Sequence, residues 1–95
     1  MKNYDKTVIE RRRFYVDYDC WLADDGELTD FQVIINPYTE GAPLGADTSY
    51  PDATHRKLMM FVNGGKANTT YRMSLVVTTD AGQVKRDDIG MIVLP

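Results

Sequence analysis

Cysteine, histidine and tryptophan are nearly absent from this sequence, which contains one of each. A single cysteine, Cys20, excludes an internal disulfide and a zinc site built on paired cysteines, so we interpret it as a small packing residue. The only histidine, His55, lies in a polar stretch typical of a solvated loop. A nucleophilic cysteine needs a base held beside it, and a Cys20–His55 dyad is not favoured. The sequence therefore predicts neither a catalytic site nor a cofactor.

An excess of positive charge and a long apolar run are also missing. The 11 basic and 14 acidic side chains give a formal charge of −3, which argues against a nucleic-acid partner. No apolar run approaches the roughly 18 residues that predict a membrane-spanning helix. A hydrophobic content of 43% is too high for a disordered chain. Residues 1–13 are charged and no apolar segment follows them, so we expect a soluble, folded protein without a secretory signal.

The clearest pattern that is present is an alternation of apolar residues between positions 71 and 77. Tyr71, Met73, Leu75 and Val77 fall on one face of an extended chain, which predicts a half-buried β-strand. Tyr71 lies at the start of this strand, in a position that resembles the tyrosine corner of immunoglobulin-type sandwiches. A glycine-bearing turn at residues 79–83 leads to a returning strand. Its apolar phase changes along the strand, which predicts a bulge or a crossing near residues 86–88.

Further strands are predicted at residues 7–17, 28–36 and 57–63. The first has a mixed apolar phase, which favours an edge strand or a bulged strand after an N-terminal arm at residues 1–6. The third is apolar on both faces, as in a central strand. The connection from 36 to 55 is long, and we expect it to hide a short strand near residues 48–50. With 95 residues the chain fits one domain, 7–95, and we predict an all-β antiparallel β-sandwich of about seven strands.

Residues 18–23 are rich in aromatics and are predicted to form one helical turn. Trp21 is interpreted as a core plug, with a sugar-stacking platform as the alternative. The acidic residues that follow suggest calcium but lack the spacing that wraps ligands around one ion, so no metal site is predicted. These acidic residues are Asp24, Asp25, Glu27 and Asp30. Asp87 and Asp88 are interpreted as a turn-facing pair rather than an acid/base dyad.

Two groups of residues are candidates for contact with a protein partner. Arg11, Arg12 and Arg13 form either a solvated edge or a docking strip for an acidic partner. Tyr38 and Tyr50 are the aromatic residues of the long 36–55 connection. Aromatic side chains and arginine are common anchors of protein interfaces.

The order and spacing of several turn and strand residues resemble the short fibre-tail adaptor proteins of tailed phages. The residues that carry this resemblance are Asp17-Tyr18, Trp21-Leu22-Ala23-Asp24, Gly26-Glu27, Gly64-Gly65, Tyr71, Thr78-Thr79 and Gly82. The pattern departs from the family at Ala67-Asn68, where a glycine is expected, and in an acidic turn that is one residue longer.

The resemblance implies a small immunoglobulin-like β-sandwich of the virion that is not an enzyme. Such a protein would be made in the host cytoplasm and join receptor-binding tail fibres to the tail or head-tail connector, in multiple copies within a symmetric assembly. Two alternatives remain at this point. One is a capsid decoration protein of similar fold, and the other is a carbohydrate-binding module that uses Trp21, Tyr38 and Tyr50.

Overall fold

A computed structural model describes residues 2–22 and 26–95, and in these ranges the chain forms seven strands and one short helix. In chain order the elements are β1 (Lys2–Thr7), β2 (Arg12–Asp17), α1 (Asp19–Leu22), β3 (Leu28–Asn36), β4 (Leu44–Ser49), β5 (Lys57–Gly64), β6 (Thr69–Thr79) and β7 (Val84–Leu94). A four-stranded sheet has the order β1-β7-β6-β3 and a three-stranded sheet the order β2-β5-β4. The predicted all-β sandwich is confirmed, and its strand pairing is the immunoglobulin-type arrangement.

The core lies between the two sheets and is built on the alternation of β6. Tyr71, Met73, Leu75 and Val77 are each at most 1% exposed. Nine further apolar residues of the predicted strands lie in the core or pack against it: Phe31, Val33, Ile35, Leu58, Met60, Val62, Ile89, Met91 and Val93. Four more apolar residues are buried: Tyr18, Leu22, Leu28 and Leu44.

The N-terminal segment differs from its prediction. Residues 2–6 are not an arm, because they belong to β1, which pairs in parallel with β7. The single strand expected at 7–17 is two elements in different sheets, joined by a turn in which the Glu10 carboxylate accepts a 2.7 Å hydrogen bond from the Thr7 amide. Lys6 is 1% exposed and its Nζ donates to the carbonyls of Thr7 and Gly64, both at 2.6 Å. Burial lowers the pKa of this Lys6 amine.

The bulge expected in the last strand is also absent from its predicted place. β7 pairs with β6 in one continuous register from Thr69↔Val93 to Thr78↔Val84. The register shift lies instead in β3, between Leu28 and Asp30. The hidden strand of the long connection exists as β4, which begins earlier than expected.

The helical turn predicted after the first strand region is α1, and it orients its side chains differently from the prediction. The Leu22 amide donates to the Tyr18 carbonyl at 2.8 Å, which places both side chains on the buried side. Cys20 is exposed and is therefore not a packing residue. Trp21 is half-buried and packs at the margin of the core. Asp24 and Asp25, and with them part of the acidic turn, lie outside the described residues.

The tyrosine corner is confirmed. The hydroxyl of buried Tyr71 accepts a 2.8 Å hydrogen bond from the Lys66 amide and lies 2.6 Å from Oγ1 of Thr39. The loop before β6 and the loop after β3 are thereby fixed to one core side chain. Within the described parts of the chain, no helix is long and apolar enough to cross a membrane.

Candidate functional site

The outer face of the three-stranded sheet presents aromatic and apolar side chains beside two arginines. Leu58, Met60 and Val62 of β5 point into the core, so Met59 and Phe61 point to the opposite face. Arg13 is paired in register with Phe61, and Tyr15 with Met59. We call this surface the arginine–aromatic face and define it by Arg11, Arg13, Tyr15, Met59 and Phe61.

The side chains of the arginine–aromatic face are held in place by one another. The Arg11 guanidinium lies 3.9 Å from the centre of the Phe61 ring and forms a 3.4 Å ion pair with Asp47. The Arg13 guanidinium lies 5.4 Å from the Tyr15 ring, which is 55% exposed. Cation–π contacts of this kind orient the arginines and leave N–H groups at the edge of each guanidinium for carboxylates, as the Arg11–Asp47 pair illustrates. The surface combines the residue types that are most enriched at protein interfaces.

The three consecutive arginines do not form one strip. Side chains alternate along a strand, so Arg12 points to the side opposite Arg13. There its Nη1 donates to the Asp5 carbonyl at 3.4 Å, and its guanidinium lies 5.9 Å from the Phe14 ring. The structure therefore brings Arg11 and Arg13 together and separates Arg12 from them.

Tyr38 and Tyr50 lie at opposite ends of the sandwich. Tyr38 follows the last residue of β3 and is 76% exposed. The Tyr50 hydroxyl donates to the carbonyl of Leu28, the first residue of β3, at 3.5 Å. Nine residues of strand separate the two ends of β3, which is about 27 Å. Tyr50 is half-buried and stacks on His55 at 4.0 Å between ring centres. The three aromatics of the carbohydrate-binding alternative thus share no common platform.

A second surface feature is an open cleft of about 750 Å³ on the side of the sandwich where β2 and β7 approach each other. We call it the edge cleft. Its walls include the aromatic residues Tyr15, Tyr18 and Trp21 and the charged residues Lys85 and Asp87 of β7. Lys85 and Asp87 form a 3.3 Å ion pair, and the Lys85 ammonium lies 5.8 Å from the Trp21 ring. Burial raises the pKa of Tyr18, and the neighbouring carboxylate of Asp87 raises it further.

The sequence was compared with known protein families. A family model described as podophage GP4 fiber-tail adaptor protein gp77 matches residues 6–91. The chain belongs to this family. No curated protein matches the chain.

Membership in the podophage fiber-tail adaptor family assigns the chain to the phage tail, as the resemblance in its turn and strand residues predicted. The matched region runs from Lys6 of β1 to Met91 of β7 and includes the whole arginine–aromatic face. Tyr15, Met59 and Phe61 were missed as surface residues by sequence reasoning. The signal that could have found them is the run 58–62, because an apolar stretch without alternation leaves apolar side chains on both faces.

In the parts of the adaptor that the structure describes, no three potential metal ligands cluster. Asp87 and Asp88, considered as a possible carboxylate pair, point to opposite faces of β7. Asp88 accepts hydrogen bonds from Ser74 at 2.8 Å and from Arg86 at 3.0 Å, and these bonds hold the pKa of its carboxyl below the usual value. Asp87 forms the 3.3 Å ion pair with Lys85, and both carboxylates belong to the lining of the edge cleft. The two carboxyl groups are therefore engaged in separate contacts.

Proposed function

We propose that this adaptor joins a receptor-binding fibre to the tail or head-tail connector of a podophage particle. The family match over residues 6–91 is the observation that supports this role most strongly. The adaptor acts without catalysis, through binding surfaces alone. Several copies surround the symmetric tail, because a symmetric tube offers the same site repeatedly.

The arginine–aromatic face is the surface we propose for the fibre or tail contact. Phe61 and Met59 supply an apolar centre, and Tyr15 supplies an exposed ring of low conformational freedom. Arg11 and Arg13 carry positive charge on a chain whose net charge is −3, so they mark a locally basic surface. The partner surface should accordingly carry carboxylates.

Tyr38 is a proposed contact of a different kind. It is exposed at the end of the sandwich and lies on neither sheet face, so it would reach a neighbouring copy or a second partner. Arg12 and Tyr50 stay predictions, because Arg12 contacts the Asp5 carbonyl and the Phe14 ring, and Tyr50 stacks on His55.

Reversal of charge on the arginine–aromatic face tests the proposal. Phage particles would be assembled with the double variant Arg11→Glu/Arg13→Glu, and fibres per particle would be counted by quantitative immunoblotting. We expect at least about a tenfold loss of fibres or of adaptor, since like charges across an interface cost several kcal/mol.

The matched control reverses two charges on another part of the molecule. Lys66→Glu/Arg72→Glu changes exposed side chains in a loop and on the four-stranded sheet, and it should retain fibres normally. Both variants should unfold at similar temperatures in isolation. Equal retention in the two double variants would refute the arginine–aromatic face as the contact. Truncation of residues 1–13 is not a suitable test, because it removes β1 and buried Lys6 and would unfold the sandwich.

A further inference from the structure

The edge of β7 is only half covered. β1 pairs with residues 89–94 of β7, and on this side residues 84–88 pair with no strand among the described residues. β6 covers the other side of β7 along its full length. The backbone N–H and C=O groups of successive strand residues point to alternate edges, so two or three of these five residues present theirs without a partner strand. Such an edge is a template for an additional strand.

The edge cleft opens directly beside this uncovered edge. Lys85, Asp87 and Ile89 line it from β7, and residues 15–17 line it from β2, which is itself an edge strand. A strand added beside residues 84–88 would continue the line of β1 and place alternate side chains into the cleft. Five residues of strand span about 17 Å. The volume of about 750 Å³ is large enough for several side chains.

The charges around the cleft compensate one another. Its lining contains three cations and three carboxylates: Lys2, Lys85, Arg86, Asp17, Asp87 and Asp88. Lys85 is paired with Asp87 and Arg86 with Asp88. A charged side chain inserted into the cleft would find the opposite charges on β7 already paired. The cleft therefore favours uncharged side chains on the inserted segment.

Tyr18 also lines the cleft and is 2% exposed, and the Asp87 carboxylate lies beside its hydroxyl. The Tyr18 ring therefore belongs to the wall of the cleft, and its polar end is already next to a carboxylate.

We propose that the edge cleft receives an extended, uncharged segment of a partner polypeptide, which pairs with residues 84–88 of β7 and inserts alternate apolar side chains between the sheets. This inference rests on the proposed function and names a second site for it, because an adaptor that binds two proteins needs two surfaces. Arg11, Arg13, Met59 and Phe61 of the arginine–aromatic face lie outside the lining of the edge cleft, and Tyr15 is the residue that the two surfaces share.

Hydrogen–deuterium exchange compares the isolated adaptor with the adaptor in purified tails. We expect exchange in peptides covering residues 84–88 to slow by at least tenfold on assembly, because new interstrand hydrogen bonds protect edge amides. Peptides covering β3, which is the other edge of the four-stranded sheet, serve as the internal reference. An adaptor present in tails with unchanged exchange at 84–88 overturns this inference alone. Absence of the adaptor from tails overturns the proposed function as well.

A pair of neighbouring substitutions separates filling of the cleft from a general effect on β7. Lys85→Trp places an indole in the cleft against Trp21, whereas Val84→Trp places one on the opposite, exposed face. Lys85→Met removes the charge and leaves the cleft open. We expect Lys85→Trp to lower incorporation into particles at least tenfold, with Val84→Trp and Lys85→Met close to the unchanged chain. Normal incorporation of Lys85→Trp, with a thermal midpoint that shows it folded, would contradict strand insertion.

Discussion

The hydrogen bonds at the Tyr71 hydroxyl allow a quantitative test of the fold. The Lys66 amide donates to Tyr71 at 2.8 Å, and the Thr39 hydroxyl donates to the Ala42 carbonyl at 2.8 Å. Thr39 has one hydroxyl hydrogen, so in the 2.6 Å contact between the two side chains Tyr71 is the donor. Tyr71→Phe keeps the buried ring and deletes both of its hydrogen bonds.

The expected cost follows from these two bonds. Each contributes about 0.5–1.5 kcal/mol net, so Tyr71→Phe should lower the free energy of unfolding by about 2 kcal/mol. For a domain of this size that corresponds to a fall in the melting temperature of about 10 °C. The loops on either side, which Tyr71 joins, should exchange amide hydrogens faster than the strands do.

Urea denaturation of a double-mutant cycle measures the effect. Thr39→Val removes the bonds of Thr39 and leaves the Lys66–Tyr71 bond, so it is the matched partner variant. The double variant should be less destabilised than the sum of the single variants by about 1 kcal/mol, since both singles delete the same shared bond. A change below about 0.5 kcal/mol for Tyr71→Phe, or strictly additive costs, would refute the corner as a stabilising element.

Three further predictions concern single residues. Burial raises the pKa of Tyr18 in the folded protein above 10.0, so above pH 10 the unfolded state loses this proton first and the free energy of unfolding falls as pH rises. Tyr18→Phe should therefore reduce the loss of stability that urea titrations show above pH 10. Gly64→Ala should lower the melting temperature more than Gly41→Ala. Both glycines have a positive φ, but only at Gly64 would a Cβ lie 2.5 Å from the Pro43 carbonyl oxygen. Equal falls in melting temperature would contradict this. Cys20 should react with a maleimide in the folded protein as fast as in urea, by mass spectrometry, and strong protection would contradict its exposure.

The parts of the fold that could be predicted are those in which periodicity is not interrupted. β3 alternates from Phe31 to Ile35 and β6 from Tyr71 to Val77, and β5 is bounded by polar residues on both sides. The turn between β1 and β2 contains neither glycine nor proline, because the Glu10 side chain closes it by accepting the Thr7 amide. A local side-chain contact of this kind leaves little trace in a hydropathy pattern, so two strands were merged into one.

The candidate surfaces were also harder to predict, because the contacts that form them leave little trace in a hydropathy pattern. The phase change in β7 was interpreted as a bulge, but Lys85 and Asp87 point inward on a regular strand because an open cleft lies beside them. The arginine run was identified correctly as a group of exposed charges, whereas its division between two faces depends on where β2 begins. Trp21 was expected in the core. Tyr18 and Leu22 are buried there instead, because their (i, i+4) spacing places both on the same side of the helical turn.

Cryo-electron microscopy of the assembled phage tail tests the adaptor role most directly. The account predicts density for this sandwich between a fibre and the tail, with Arg11, Arg13 and Phe61 covered by a partner surface. Location of the chain on the icosahedral shell, or a position in the tail at which this face is open to solvent, would contradict it.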